Sequence, residues 1–294
     1  MLYLIDASYF VFRAWFSMPD DMVDGDGNPV NALYGFTRFL GDFHEHTRPE
    51  YVGVAFDTSL TTCFRNEIYP DYKANRDPAP DELKAQFERC RAVARALGLA
   101  EYAEQRFEAD DIIGTLVVRM RERGMPSTIL SRDKDLLQLL DAGDSMWDFT
   151  GGKRTHYKDV PNALGVQAEQ VVDYLALAGD SVDNIPGVPG VGPKTASALL
   201  NHFECIDDIY SRLDEVAAVP VRGAGKLAAK LDAHKDSAYL SRRLTRIDCE
   251  VPMDAEPDHV KRSAPDMDML GDLYDQADFG ATVRRQADRI AGQF

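Results

Sequence analysis

The run YVGVAFD at residues 51–57 is apolar, rich in residues that favour β-strands, and ends on an aspartate. Two other runs have the same form: LYLID ends on Asp6, and STILSRD ends on Asp133, with Asp135 two residues further on. Helix-length patterns lie between these runs. Strands that alternate with helices predict an α/β fold, with a mainly parallel central sheet that is flanked by helices on both faces.

The three terminal aspartates are expected to meet, although they are far apart in the chain. Parallel strands end at the same edge of a sheet, and ligands of open α/β sheets bind in the crevice outside those ends. Asp6, Asp57 and Asp133 would therefore line one crevice. Any one of them alone is equally well explained as a turn residue or as the cap of the following helix.

Residues 106–116, RFEADDIIGTL, place three more carboxylates at the start of a helix-like run: Glu108, Asp110 and Asp111. Acidic side chains in a first helical turn often serve only to cap free N–H groups and to complement the helix dipole. Glu108 and Asp111 also share one face of the helix, at the height where the preceding strand ends. These acids can therefore join the crevice.

A further pair of acids, Asp180 and Asp183, follows an apolar helix pattern, which brings the candidates for one site to nine. They are Asp6, Asp57, Glu108, Asp110, Asp111, Asp133, Asp135, Asp180 and Asp183. Crowded carboxylates raise one another's pKa, and divalent cations remove this conflict. Ligation by oxygen alone favours Mg²⁺ or Mn²⁺, and the number of acids indicates two ions, partly bound through water. Such a pair of ions promotes in-line displacement at phosphorus.

The segment GVPGVGPKTA at residues 187–196 has three glycines in a tight turn and Pro193 at the first position of a helix. Free N–H groups of the turn and of the helix start would seat a phosphate without reading bases. The candidate DNA-binding residues are Gly187, Gly190, Gly192, Lys194 and Thr195. A plain connection between two helices is the alternative, but the position directly after an acid pair favours the phosphate seat.

Five ordered motifs resemble those of the 5′ nuclease superfamily, which comprises the flap endonucleases and the 5′–3′ exonuclease domain of bacterial DNA polymerase I. They are LIDASYFVFRAW, VAFDTSLTTCFRNEIYPDYKANR, EADDIIGTL, SRDKDLLQL and GDSVDNIPGVPGVGPKTA, within residues 1–252. The resemblance implies a PIN/resolvase-like sheet, a helical arch through which single-stranded DNA passes, and a helical region with a helix-three-turn-helix motif.

The resemblance also implies roles for individual residues. It assigns Asp6, Asp57, Glu108, Asp110 and Asp111 to one metal ion, and Asp133, Asp135, Asp180 and Asp183 to the other, with some sharing. Lys73 and Arg76 would contact the scissile phosphate, with Arg65 assisting, and would stabilise developing negative charge. A solvated basic face is the alternative for these three. The resemblance further suggests K⁺ at backbone carbonyls of the glycine-rich turn.

We expect three regions: an α/β nuclease domain at 1–158 with the arch at about 62–95, a helical DNA-binding domain at 159–254 with the glycine-rich turn at 187–193, and an acidic C-terminal extension at 255–294. The expected function is a stand-alone structure-specific 5′–3′ exonuclease or 5′ flap endonuclease without an attached polymerase. It would act as a monomer on DNA with 5′ ends, 5′ flaps or single-strand/double-strand junctions. The alternatives are a non-catalytic DNA-binding protein and another metal-dependent ribonuclease or phosphatase on a similar sheet.

The net charge of −16 over 294 residues opposes nucleic-acid binding unless positive charge is concentrated locally. Residues 61–95 carry seven Lys/Arg against six Asp/Glu, and residues 187–246 carry nine against seven, so both segments are neutral to slightly basic. Four scattered cysteines without C-x-x-C spacing, no apolar run of about 18 residues and no basic leader predict a cytoplasmic protein that does not enter membranes. Arg132 stands where many relatives have glycine, and it either approaches the acids or faces solvent.

Overall fold

The computed structural model describes residues 1–58 and 62–294, so residues 59–61 of the motif that begins at Val54 lie outside the described residues. The strands are β1 (Leu2–Asp6), β2 (Tyr51–Asp57), β3 (Ala100–Glu104), β4 (Ser127–Leu130), β5 (Ser145–Asp148) and β6 (Lys153–His156). The α-helices of the first half are α1 (Ala7–Ser17), α2 (Asn31–Thr47), α3 (Phe64–Ile68), α4 (Asp81–Ala96) and α5 (Ala109–Arg121). Those of the second half are α6 (Val160–Leu164), α7 (Val171–Ala178), α8 (Pro193–Leu200), α9 (Ile206–Ser211), α10 (Ala224–Ala233), α11 (Lys235–Thr245), α12 (Met267–Gln276) and α13 (Ala281–Ala291).

All six strands form one sheet in the order β3-β2-β1-β4-β5-β6. Every neighbouring pair is parallel except β5 and β6, which are antiparallel. The prediction of a mainly parallel sheet is therefore confirmed. Because β1 lies in the middle, with β2 and β4 on its two sides, the residues that follow these three strands lie next to one another.

Successive side chains of the central strand point to opposite faces of the sheet, as strand geometry requires. Leu4 belongs to the core formed with α5, whereas Ile5 belongs to the core formed with α1 and α2. The core around Leu4 continues into the helical region, where it includes buried residues of α7 and α8. The packing is therefore continuous across the expected boundary at 158/159.

The C-terminal extension is part of the core on the opposite face. Helix α12 packs against α4, and α13 packs against α2. Leu270, Tyr274 and Ile290 are each at most 3% exposed. On α2, Gly41 leaves the room that the Gln286 side chain of α13 occupies, because a Cβ at Gly41 would lie 2.1 Å from the Gln286 amide carbon. The extension therefore completes the α/β domain.

No helix within residues 1–58 and 62–294 combines the length and the apolarity that a membrane span requires.

We expect the substitution Ile290→Ala to lower the free energy of unfolding by about 2–5 kcal/mol, because it removes buried methyl groups and leaves a cavity between α13 and the sheet domain. Arg285→Ala, at an exposed position of the same helix, is the matched control and should change stability by less than about 0.5 kcal/mol. Urea denaturation of both variants measures the difference. Equal small losses would show that α13 contributes little to the core.

Candidate active site

The carboxyl edge of the sheet positions the first three predicted acids. Asp6 and Asp57 are the last residues of β1 and β2, and Asp133 follows β4 by three residues. Asp6 also caps α1, since its Oδ1 accepts a hydrogen bond from the Tyr9 N–H at 3.1 Å. Its Oδ2 accepts one from the Ser131 hydroxyl at 2.8 Å, which ties the end of β1 to the segment after β4.

The start of α5 brings in the next acids. The Ala109 N–H donates to Asp57 Oδ1 at 2.9 Å and so fixes the first turn of α5 against the end of β2. Asp110 lies close enough to Asp6, Asp57 and Asp133 for their negative charges to raise its pKa. The acids predicted from three separate motifs therefore share one crevice.

The remaining acids come from two short turns. Asp133 Oδ1 accepts the N–H of Asp135 at 2.9 Å, which begins a 3₁₀ segment. Helix α7 ends at Ala178, and Asp180 and Ile185 then close a turn with reciprocal backbone hydrogen bonds of 3.0 and 2.7 Å. Asp180 and Asp183 of this turn act electrostatically on Asp133 and Asp135. Both groups of acids thus belong to one continuous cluster.

Loss of hydration and mutual repulsion raise the pKa of several of these carboxyl groups. Burial, followed by the charge of Asp57, raises the pKa of Asp6 to about 7. Burial, followed by the charges of Asp133 and Asp180, raises the pKa of Asp135 to about 8. Burial and the neighbouring acids raise the pKa of Asp110 as well. The pKa of Asp133 is raised through lost hydration, although solvent still reaches much of its side chain.

Two basic side chains reach into the cluster. Lys73 Nζ contacts Glu108 Oε1 and lies 3.7 Å from Asp183 Oδ2, and Arg76 pairs with Asp183 Oδ1. Burial opposes ionisation of Glu108, but the charges of Lys73 and Arg65 outweigh it and lower the pKa of this carboxyl. Burial would by itself lower the pKa of Lys73, yet Glu108 and Asp183 raise it, so the ammonium stays charged.

Six acids of the cluster make no ion pair with any of the described residues. They are Asp6, Asp57, Asp110, Asp133, Asp135 and Asp180. In the described ranges, no three His, Cys, Asp or Glu side chains are arranged to hold a metal ion directly. Oxygen ligands alone, surplus negative charge and raised pKa values nevertheless fit a hard divalent cation that keeps part of its water shell.

Arg65 and Asp111 have a different place from the one expected. Arg65 is 3% exposed, and its guanidinium donates to both oxygens of Asp111 at 2.7 and 2.8 Å and to Glu108 at 3.1 Å. It also donates to the backbone carbonyls of Leu244 and Arg246 at 2.8 and 2.9 Å. Arg65 therefore joins α3, α5 and α11 inside the protein, and protein acceptors engage all five of its N–H donors.

Asp111 is fully buried, and the N–H groups of Glu108 and Asp248 complete its hydrogen bonds at 3.0 and 2.8 Å. Its bond to Glu108 is half of a capping box at the start of α5, a pattern already visible in the spacing of the two residues. The geometry thus supports a structural role for Asp111 and Arg65, and not metal ligation or phosphate contact. For Asp111, the simple capping interpretation of the sequence applies.

The glycine-rich turn divides into an inner and an outer part. Gly187 is buried at φ 61°, where a Cβ would lie 2.5 Å from the backbone nitrogen of Gly179, and its N–H donates to Ser241 Oγ at 3.0 Å. Gly190 and Gly192 are exposed. Gly187 therefore shapes the turn, whereas the other two glycines are available to a ligand.

The outer part of the turn has basic side chains on two helices. Lys194 is exposed in the first turn of α8, next to Thr195. Lys230 of α10 extends over Gly190, with Nζ 2.7 Å from the position that a Cβ there would occupy. The sequence carries no signal for Lys230, because forty residues separate it from the turn and only the tertiary structure brings the two together.

Arg132 faces solvent. Its side chain is 63% exposed, and its Nε lies 3.3 Å from Asp148 Oδ2 at the end of β5. Of the two orientations that the sequence left open, the structure has the one away from the acids.

Two family models match the chain. The model of the 5′-3′ exonuclease N-terminal resolvase-like domain covers residues 1–171, and that of the 5′-3′ exonuclease C-terminal SAM fold covers residues 166–268. The chain belongs to the 5′-3′ exonuclease family. This membership confirms the resemblance drawn from the motifs.

The chain is similar to a bacterial relative of nearly the same length and to parts of longer ones. A 5′-3′ exonuclease of Aquifex aeolicus is 32% identical over 292 residues, which is 99% of this chain and 96% of the relative. A DNA polymerase I of Pseudomonas aeruginosa is 38% identical over 95% of this chain, and one of Caldicellulosiruptor bescii is 34% identical over 97%. The chain spans only 30% and 33% of these two polymerases, about a third of their length.

Solved structures share the fold at low sequence identity. The T5 5′-exonuclease with bound zinc has a TM-score of 0.66 at 21% identity, over 99% of this chain and 98% of that one. The catalytic core of Rad2 in complex with DNA substrate has a TM-score of 0.64 at 14% identity, over 99% and 91%. The predicted fold class is therefore confirmed.

We expect Arg65→Ala to lower the free energy of unfolding by about 3–5 kcal/mol, because it leaves Asp111 and Glu108 buried without their guanidinium partner. Arg76→Ala removes a more exposed ion pair and should cost about 0–1 kcal/mol. Chemical denaturation compares the two variants. Similar small losses would contradict the structural role of Arg65.

A second prediction concerns pH in metal-free buffer with a chelator. Asp135 has a pKa of about 8 when folded and about 4 when unfolded, so the native state holds its proton more tightly. Its contribution to stability is full below about pH 4 and is lost as the pH rises to about 8. Asp135→Asn should therefore gain stability relative to the parent protein over this range, as measured by urea denaturation at several pH values. If the variant were less stable than the parent at pH 8, the claim that burial and neighbouring carboxylates disfavour the charged form of Asp135 would be wrong.

Proposed function

We propose that this chain is a divalent-metal-dependent 5′ nuclease that hydrolyses phosphodiester bonds at 5′ ends, 5′ flaps and single-strand/double-strand junctions of DNA. The observation that carries the proposal is the cluster at the carboxyl edge of the sheet, in which six carboxylates make no ion pair with any residue of 1–58 and 62–294. The models of the 5′-3′ exonuclease family together match residues 1–268, which include the whole cluster. The flap endonuclease of bacteriophage T5, which shares the fold, has been solved with DNA and metal ions.

Eight acids would hold the metal, Mg²⁺ by preference with Mn²⁺ as a substitute. The first ion would lie among Asp6, Asp57, Glu108 and Asp110, and the second among Asp133, Asp135, Asp180 and Asp183. Bound divalent ions supply Lewis-acid chemistry and charge neutralisation at the reacting phosphate. Among the described residues, no three side chains are already arranged to ligate a metal ion directly, so we expect several of these acids to bind the ions through water.

Lys73 and Arg76 would hold the scissile phosphate. Both are charged and both contact acids of the cluster, so they are already placed at its entrance. A phosphate there offers oxygens that compete with Glu108 and Asp183 for the same donors. The two cations would then orient the phosphate and stabilise the negative charge that builds up on it during the reaction.

The outer glycine-rich turn would seat a phosphate of the duplex away from the cut. Gly190 and Gly192 lie beside the N-terminus of α8, where N–H groups attract anions, and Lys194 and Lys230 add positive charge. Such contacts do not read base sequence and weaken as salt increases. K⁺ at the carbonyls of this turn, and a monomeric, cytoplasmic enzyme, complete the proposal.

The decisive experiment compares three substrates with and without Mg²⁺: a 5′-flapped DNA, its RNA analogue and a phosphomonoester. We expect cleavage of the flapped DNA alone, and only with the metal. Asp133→Ala should lower the cleavage rate at least about a thousandfold because it removes a charge from the metal cluster, while binding of the flapped DNA stays within about threefold.

Each other result selects an alternative. Tight binding of the flapped DNA without cleavage in any metal would favour a non-catalytic DNA-binding protein. Preference for the RNA or for the phosphomonoester would favour another metal-dependent hydrolase on the same sheet. Lys261→Ala is the control and should keep the parent rate, because this exposed lysine pairs with Glu50 at the start of β2, at the end of the sheet away from the acids.

A further inference from the structure

Two turns that are more than a hundred residues apart in sequence are joined at the entrance of the acid cluster. The first turn comprises residues 71–76 and carries Lys73; the second comprises residues 180–185 and carries Asp183. Each is closed by its own backbone hydrogen bonds: Arg76 N–H donates to Lys73 O at 3.0 Å, and Asp180 and Ile185 bond reciprocally. The two turns therefore meet as preformed units.

Hydrogen bonds in both directions connect them. The Lys73 N–H donates to the Asp183 carbonyl at 3.0 Å. The side-chain amide of Asn184 donates to the Asp71 carbonyl at 2.7 Å, and that of Asn75 donates to the Ser181 carbonyl at 2.7 Å. We call these three bonds the latch. One bond of the latch joins main chain to main chain, and in the other two a side-chain amide of one turn donates to a backbone carbonyl of the other.

The latch coincides with unfavourable backbone conformations. In residues 1–58 and 62–294, four non-glycine residues have positive φ, and two of them, Lys73 and Asn184, face each other here at 56°. Asparagine tolerates this backbone region, whereas lysine rarely adopts it. Such a conformation persists only where surrounding bonds hold it, and the left-handed residue is the one whose Nζ lies between Glu108 and Asp183.

Packing supports the latch from behind. Tyr72 is 4% exposed and lies in a small apolar cluster with Ile185 and Leu244. Its hydroxyl donates to Glu108 Oε2 at 2.9 Å. Tyr72, which directly precedes Lys73, is thereby held in place. The backbone conformation of Lys73 itself then depends on the latch.

We infer that Asn184 is a positioning residue for Lys73: its amide holds the first turn so that the left-handed Lys73 backbone directs the ammonium between Glu108 and Asp183. The inference rests on the role of Lys73 in the proposed function. It extends that function, because Asn184 belongs to the helical region and so makes the placement of the phosphate-binding lysine depend on docking of that region.

The test uses Asn184→Gly in the full-length chain. Glycine adopts the positive φ without strain, so the variant removes the amide and leaves the backbone of the second turn intact. We expect kcat on the 5′-flapped DNA to fall about tenfold to a hundredfold with KM within about twofold, because misplacement of a catalytic group lowers the rate more than the binding. Asn75→Ala breaks the latch from the other side and should act in the same direction.

A double variant tests whether Asn184 acts through Lys73 or through its neighbour Asp183. Lys73→Ala/Asn184→Gly should be no slower than Lys73→Ala in single-turnover assays, since Asn184 then has nothing left to position. A further tenfold loss in the double variant would overturn the inference. Asn201→Ala is the matched control, because that amide donates to the Gly165 carbonyl at 2.7 Å outside the latch, and it should keep the parent rate.

A measurement without substrate distinguishes failure of the latch from failure of the proposed function. The Lys73 amide hydrogen, bonded to the Asp183 carbonyl, should exchange with deuterium at least about tenfold faster in Asn184→Gly than in the parent or in Asn201→Ala. Unchanged exchange with unchanged kcat would overturn the inference. If Lys73→Ala itself kept the parent rate, the proposed role of Lys73 would fail, and the exchange rate alone would then decide whether Asn184 holds the first turn.

Discussion

Crowding of like charges at the carboxyl edge of the sheet is the constraint on which the rest of the structure depends. Parallel strands bring Asp6, Asp57 and the segment of Asp133 to one edge whether or not their charges repel. Basic side chains of the protein neutralise only some of these carboxylates. Lys73, Arg76 and Arg65 neutralise Glu108, Asp183 and Asp111, and the other carboxyls retain raised pKa values or surplus charge. A divalent cation is the partner that this imbalance favours.

The basic residues near the cluster differ in burial and in role. Arg65 is enclosed by carboxylates and backbone carbonyls, and a planar guanidinium with five donors suits such a place. Lys73 and Arg76 lie nearer the surface, where each can exchange a carboxylate partner for a phosphate. Arg65 therefore holds α3, α5 and α11 together, whereas Lys73 and Arg76 remain available to a substrate.

Patterns that repeat along the chain predicted much of this arrangement. Alternation of apolar strands with helices determined the sheet, and aspartates at strand ends predicted the crevice, because both depend on periodicity and on a rule of parallel topology. Glu108 and Asp111 show where such reasoning stops. Their three-residue spacing fits both a shared ligand face and a capping box, and only the tertiary position of Arg65 decides between them.

Contacts that join distant segments were beyond the reach of the sequence. The Lys230 side chain above Gly190, the amide of Asn184 on the Asp71 carbonyl and the packing of α13 on α2 each connect elements whose separation along the chain carries no periodic signal. The acidic extension illustrates the difference. Its composition showed only that it is acidic, whereas the structure shows Leu270 and Ile290 buried in the core.

The uninterrupted core between α5 and the helical region has a geometric consequence. In the described part of the chain, it joins α5, which carries acids of the cluster, to α7 and α8 on the two sides of the glycine-rich turn. Under the proposed function, this shared packing would set the distance between the acid cluster and a phosphate held at the turn, and that distance would work as a ruler for a bound duplex. The number of nucleotides between the held phosphate and the cut would be set by the protein, and any bending needed to bridge the two would fall to the DNA.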